Sequence, residues 1–95
     1  AYYWARKGVT INALAPGSIA TQGLREEEYA KADSDDYEAQ SIKDIPAHRL
    51  GNVDEVAGIC AFLCSPAARY INGADLIADG GYYLDTWTPM LDPEV

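Results

Sequence analysis

Residues 9–14 read VTINAL, apolar in alternation and β-branched at Val9, Thr10 and Ile11. This is the pattern of a pleated, largely buried strand. Pro16 removes a backbone donor and Gly17 opens dihedrals closed to other residues, so the ladder is expected to end there. Further on, Val56, Ile59, Cys60, Leu63 and Cys64 recur at helical spacing and predict a helix with one buried stripe. Asn52 is a good cap for it, Glu55 three residues later completes a capping box, Asp54 complements the dipole, and Ser65-Pro66 ends the helix. Asn72-Gly73 then predicts a turn, and residues 74–78, ADLIA, a second strand closed by Asp79-Gly80-Gly81. Strand, helix, strand with one crossover implies a parallel pair with a right-handed connection.

The remaining segments are less regular. Residues 1–8 read as the last turns of a helix, with Arg6 and Lys7 where cations complement the dipole and Gly8 as a left-handed cap. No start signal precedes them, so the chain is expected to begin inside an element. Residues 22–44 are polar, with Arg25, three glutamates at 26–28 and the cluster Asp33-Ser34-Asp35-Asp36. Helical pieces are expected around 24–31 and 36–42, broken by the acidic turn. Tyr29 and Tyr37 would line a pocket or anchor this segment on the domain. The tail, 82–95, is aromatic and proline-containing.

Ninety-five residues suffice for one small domain, and 48% apolar with 11% aromatic residues fits a chain with a core. The net charge of −8 argues against binding a phosphate backbone or an anionic membrane surface, so neither nucleic acid nor membrane is expected as a partner. A soluble acidic surface is the simpler source of that charge, a salt-rich habitat the other. No apolar run approaches a membrane span and no signal segment opens the chain, which points to the cytoplasm. Cys60 and Cys64 lie side by side along one helix face, a poor geometry for a disulfide, and one histidine, His48, offers too little for a metal site. They are expected to be small buried residues between helix and sheet. Two strands alone cannot be covered on both faces, so the chain is expected to be part of a larger α/β domain or a half that needs a partner.

Four stretches occur in one order: Asn12-Ala13-Leu14-Ala15-Pro16-Gly17-Ser18-Ile19-Ala20-Thr21; Ile45-Pro46-Ala47-His48-Arg49-Leu50-Gly51; Asp54-Glu55-Val56-Ala57 running to Phe62-Leu63-Cys64-Ser65; and Tyr70-Ile71-Asn72-Gly73 leading to Asp79-Gly80-Gly81. Together they resemble the C-terminal part of the short-chain dehydrogenase/reductase family. The resemblance implies the last two strands, crossover helix and substrate-loop helices of a Rossmann-like, doubly wound parallel sheet. Residues 1–95 would be a partial dinucleotide-binding domain, with 22–44 covering the substrate and 82–95 as a tail near a subunit interface. It further implies NAD or NADP as cofactor, a small alcohol or carbonyl as substrate, and a homo-oligomer, dimer or tetramer, built through the last helix and strand. By position, Pro16, Gly17 and Ile19 would shape the nicotinamide pocket. The Ile19 backbone and Thr21 hydroxyl would bond the carboxamide, with a Ser18 backbone contact to the phosphates.

Other family features have no counterpart: the glycine-rich phosphate loop, the ribose-reading acid, and the catalytic serine, tyrosine and lysine. Tyr3 and Lys7 do spell Tyr-x-x-x-Lys, but Lys7 stands only five positions before Asn12, where the family places most of a long helix. They are read as an aromatic patch and a basic helix end. His48 and Arg49 are adjacent, yet nothing beside them activates either, so a structural arginine and a partly exposed histidine are expected. The chain is therefore expected to supply a nicotinamide loop and interface elements of an oxidoreductase, with no catalytic residue or metal site of its own. The alternative is a non-catalytic oligomerisation or regulatory fragment.

Overall fold

In the computed structural model, residues 1–24 and 35–84 are described, with side chains from 38 onward in the second segment. A short helix α1 (Tyr2–Ala5) opens the chain, and Gly8 follows it with φ +76°, the left-handed stop that the sequence predicted. Strand β1 (Ala13–Pro16) comes next, then α2 (Asp35–Asp44), α3 (Val53–Leu63), a 3₁₀ turn at Pro66–Ala68, and strand β2 (Asp75–Ala78). The two strands pair in parallel, Ala13 opposite Asp75 and Pro16 opposite Ala78. Helix α3 lies in the crossover between them, as strand-helix-strand connectivity requires.

The ladder begins at residue 13 and not at 9. Ahead of it the segments are joined through two asparagines. Asn12 Nδ2 donates to the Ile71 carbonyl (3.1 Å), while Asn12 Oδ1 accepts the Ala74 N–H (2.9 Å). Asn72 Oδ1 accepts the Ile11 N–H (3.0 Å), and the Gly73 N–H reaches the Ile11 carbonyl (2.9 Å). Side chains thus replace the ladder at 11–12, although the local β-propensity there is real. At the other end Pro16 occupies a full ladder position. Ala13 and Gly17 send their N–H groups to Ala74 and Ala78, so by alternation the nitrogen of Pro16 faces the opposite edge and no ladder bond is lost.

The buried hydrophobics among the described residues are Ile45, Leu50 and Ala68. Ala20, Leu24 and Ile42 pack on the first two, so the small core lies beneath the loop after β1. On α3, Val56, Ile59 and Leu63 are half-buried, but Cys60 and Cys64 are exposed free thiols, which corrects the expected five-residue stripe. A sheet two strands wide is too narrow to cover the whole face of an eleven-residue helix. Helix α2 extends the expected 36–42 piece at both ends. Most of the predicted 24–31 piece, Tyr29, the Tyr37 side chain and the tail beyond 84 lie outside the described residues. No described helix is long and apolar enough to cross a membrane.

Candidate functional site

The strand-end loop is held from two sides. Gly17 lies so close to Asp79 that a Cβ there would fall 2.6 Å from the Asp79 Cβ and 2.8 Å from its Cα, so only glycine fits without moving backbone. Asp79 is fixed in turn, its Oδ1 accepting the Gly81 N–H (2.9 Å) and its Oδ2 the Tyr83 N–H (2.8 Å). The Ala47 N–H bonds the Gly80 carbonyl (3.0 Å), bringing the segment after α2 onto the same turn.

Ile19 forms an isolated parallel bridge with Gly51. The Gly51 N–H donates to the Ser18 carbonyl (3.0 Å) and the Ala20 N–H to the Gly51 carbonyl (2.8 Å). In such a bridge the N–H and C=O of the central residue point away from its partner. The Ile19 carbonyl accepts the Thr21 N–H (2.7 Å) and keeps a second lone pair, and its N–H has no partner among the described residues. Thr21 Oγ1 accepts the Leu24 N–H (3.1 Å), which leaves the hydroxyl proton to be donated elsewhere. The loop therefore offers one amide donor, one carbonyl acceptor and one hydroxyl donor within three residues. A primary carboxamide carries the matching groups, an acceptor oxygen and two N–H donors.

Behind Gly51 stands an ion pair. Arg49 Nη1 and Nη2 bond Glu55 Oε2 and Oε1 (2.9 and 2.7 Å), and Nη1 also reaches the Leu50 carbonyl (3.1 Å). Glu55 Oε2 accepts the Asn52 N–H as well (2.8 Å), the glutamate half of the expected capping box. The arginine hydrogen bonds, and after them the Asn52 N–H, lower the Glu55 carboxyl from its ordinary 4.5 to about 2. Arg49 is thus engaged in structure. His48 is exposed, with φ +55° and its N–H on the Ile45 carbonyl (2.8 Å). Tyr3 stacks edge-on against Trp4, and Lys7 lies past the end of α1, so the two do not share a helix.

A cleft of about 290 Å³ opens between the ends of the strands and α3, lined by Ser18, Ile19, Arg49, Val56, Ile59 and Asp79 among others. Of the five positions singled out from sequence, Ser18 and Ile19 line it and Pro16, Gly17 and Thr21 do not. The supporting roles of Asp79 and Gly51 were not read from sequence. The first showed only as a strand stop, and the second depends on a contact with a residue far away along the chain. Among the described residues no group of three metal-binding side chains converges.

The family model described as enoyl-(acyl carrier protein) reductase matches residues 1–83. The 3-oxoacyl-[acyl-carrier-protein] reductase FabG of Vibrio harveyi is 42% identical over 80 residues, covering 84% of this chain and 30% of that protein. A short chain dehydrogenase from Bacillus anthracis superposes with a TM-score of 0.70 at 36% identity, over 86% of this chain and 29% of that one. A crystal structure of a candidate 2-deoxy-D-gluconate 3-dehydrogenase from Agrobacterium tumefaciens, with bound NADP, gives 0.71 at 36% identity, over 87% and 32%. The chain spans 27 to 32% of the length of the first curated relatives it matches. With its parallel strand pair and the crossover helix between them, the chain belongs to the short-chain dehydrogenase/reductase family, as a C-terminal part of its Rossmann-like α/β fold.

Proposed function

We propose that the chain is the nicotinamide-holding part of an NAD(P)-dependent oxidoreductase that moves hydride between the cofactor and an alcohol or carbonyl substrate. The observation that supports this best is the edge at 19–21, where a free N–H, a carbonyl lone pair and a free hydroxyl proton stand together. NAD or NADP, when bound, supplies or accepts the hydride. The Ile19 backbone and Thr21 hydroxyl hold its carboxamide and so decide which ring face is presented. Pro16 and Gly17 shape the wall beside it, and the Ser18 backbone lies toward the phosphates. The catalytic tyrosine and lysine are supplied from outside this chain.

In this proposal residues 22–44 cover the substrate and 82–95 form a tail at a subunit interface. The protein works in the cytoplasm as a homo-oligomer, dimer or tetramer, through α3 and β2. The large apolar side chains Phe62 and Ile77, exposed on those two elements, support assembly there. The same exposure favours the second reading, an oligomerisation or regulatory fragment that binds no nicotinamide. A Thr21→Val substitution in the protein carrying this chain separates the two. Loss of one hydrogen bond to a bound group should raise the Kd for NADH or NADPH about tenfold by fluorescence titration, with oligomer size unchanged. An unmodified protein that assembles but does not bind either cofactor would favour the second reading.

A further inference from the structure

We infer that Arg49 and Glu55 are positioning residues for the nicotinamide loop, closing the turn 49–52 into a clasp that holds Gly51 against residues 18–20 and so aims the free edge of Ile19. This rests on the oxidoreductase proposal above for its functional meaning, though its geometry stands apart from it. The residues on both sides of Gly51 are tied to one carboxylate: Arg49 by two prongs, Asn52 by its N–H, while Leu50 is held by Arg49 through its carbonyl. Gly51 is left with both backbone groups turned toward Ser18 and Ala20, at 3.0 and 2.8 Å. Glu55 sits in the first turn of α3, so the clasp is anchored to a helix and not to another loop.

Both side chains are about half exposed, and a surface pair of this kind contributes little to global stability. Its value lies in orientation, because a bidentate fork fixes the angle between two groups as a single contact does not. Simple helix capping would use only the Asn52 bond, which survives when Arg49 is removed. That difference makes the clasp testable.

The test uses the protein carrying this chain, with hydrogen exchange read at the Ala20 and Gly51 amides and kinetics read with NADH and NADPH. Arg49→Ala should lower protection at those two amides about tenfold while the melting temperature moves by no more than about 2 °C. The cofactor KM should rise about tenfold with a much smaller change in kcat. Arg49→Lys, which keeps the charge but not the fork, should recover only part of both effects. Unchanged protection at Ala20 and Gly51 in Arg49→Ala, or a uniform loss accompanied by a large drop in melting temperature, would overturn the clasp. If the unmodified protein binds neither cofactor while Ala20 still loses protection, the oxidoreductase proposal fails and the clasp stands. If it turns over and Arg49→Ala changes neither readout, the reverse holds.

Discussion

Gly17 and Gly51 both lie where a Cβ would collide, yet the collisions differ in kind. At Gly17 the obstacle is the Cα and Cβ of Asp79, at 2.8 and 2.6 Å, which cannot move without the backbone. At Gly51 it is Ile19 Cδ1, at 2.7 Å, the far end of a flexible side chain. Gly17→Ala should therefore cost about 2 kcal/mol or more and Gly51→Ala less than about 1, measured by urea unfolding of the protein carrying this chain. Equal costs would contradict the geometry. Gly17 is expected from sequence to end the ladder through dihedrals closed to other residues, but its φ lies outside the left-handed region and its N–H still bonds the Ala78 carbonyl. What requires glycine there is Asp79, far along the chain. Glu55 gives a pH test. Its carboxyl is lowered to about 2 in the fold, chiefly by Arg49, so its stabilising contribution is complete above the ordinary 4.5 and is lost as pH falls from there toward 2. The stability gap between the unmodified protein and Glu55→Gln should narrow over that window, and an NMR titration midpoint for Glu55 near 4.5 would refute the arrangement.

Among the elements, sequence located α3 and β2 well, because each carries a local signal, a cap and a run bounded by glycines. The end of β1 falls near the expected place, but Pro16 sits in the ladder without costing it a bond, so its missing donor is not what ends the strand. The start of β1 was misplaced for a physical reason. Val9, Thr10 and Ile11 favour extended backbone, but a strand also needs a partner, and β2 starts only at Asp75. Asn12 and Asn72 take over that role through side chains, which no hydrophobic pattern reveals. Replacing Asn12 by alanine removes two part-buried bonds and leaves the Ala74 N–H and Ile71 carbonyl unpaired, so a loss of about 1–3 kcal/mol is expected in denaturant titration. A neutral result would mean that water satisfies both groups. Cys60 and Cys64 show the opposite failure. Their helical period was read correctly and their burial was not, since burial depends on the width of the sheet beneath.

On the scale of the whole molecule, the chain has the topology of its family and little of its interior. Ile45, Leu50 and Ala68 are the buried hydrophobics among the described residues, while Ile77 in β2 remains 49% exposed. A polypeptide of these 95 residues alone should accordingly melt without a cooperative heat-absorption peak, because so few of the described side chains leave water. A sharp calorimetric transition would show that the sheet is completed by self-association. The functional site is more local than the core. Pro16, Gly17, Ser18, Ile19 and Thr21 are proposed as site residues from one loop motif, whereas the contacts that shape that loop come from the turns at 49–52 and 79–81.

The most direct measurement is a titration of the isotopically labelled protein carrying this chain with NADH and NADPH, following the amide signals of residues 16–24. If the loop holds the nicotinamide, the Ile19 N–H should move to lower field as it gains a partner. Thr21 should shift along the same saturation curve, and at least one of the two cofactors should bind. Cofactor binding that leaves Ile19 and Thr21 unmoved would contradict the placement of the nicotinamide, and no binding of either cofactor would contradict the oxidoreductase proposal itself.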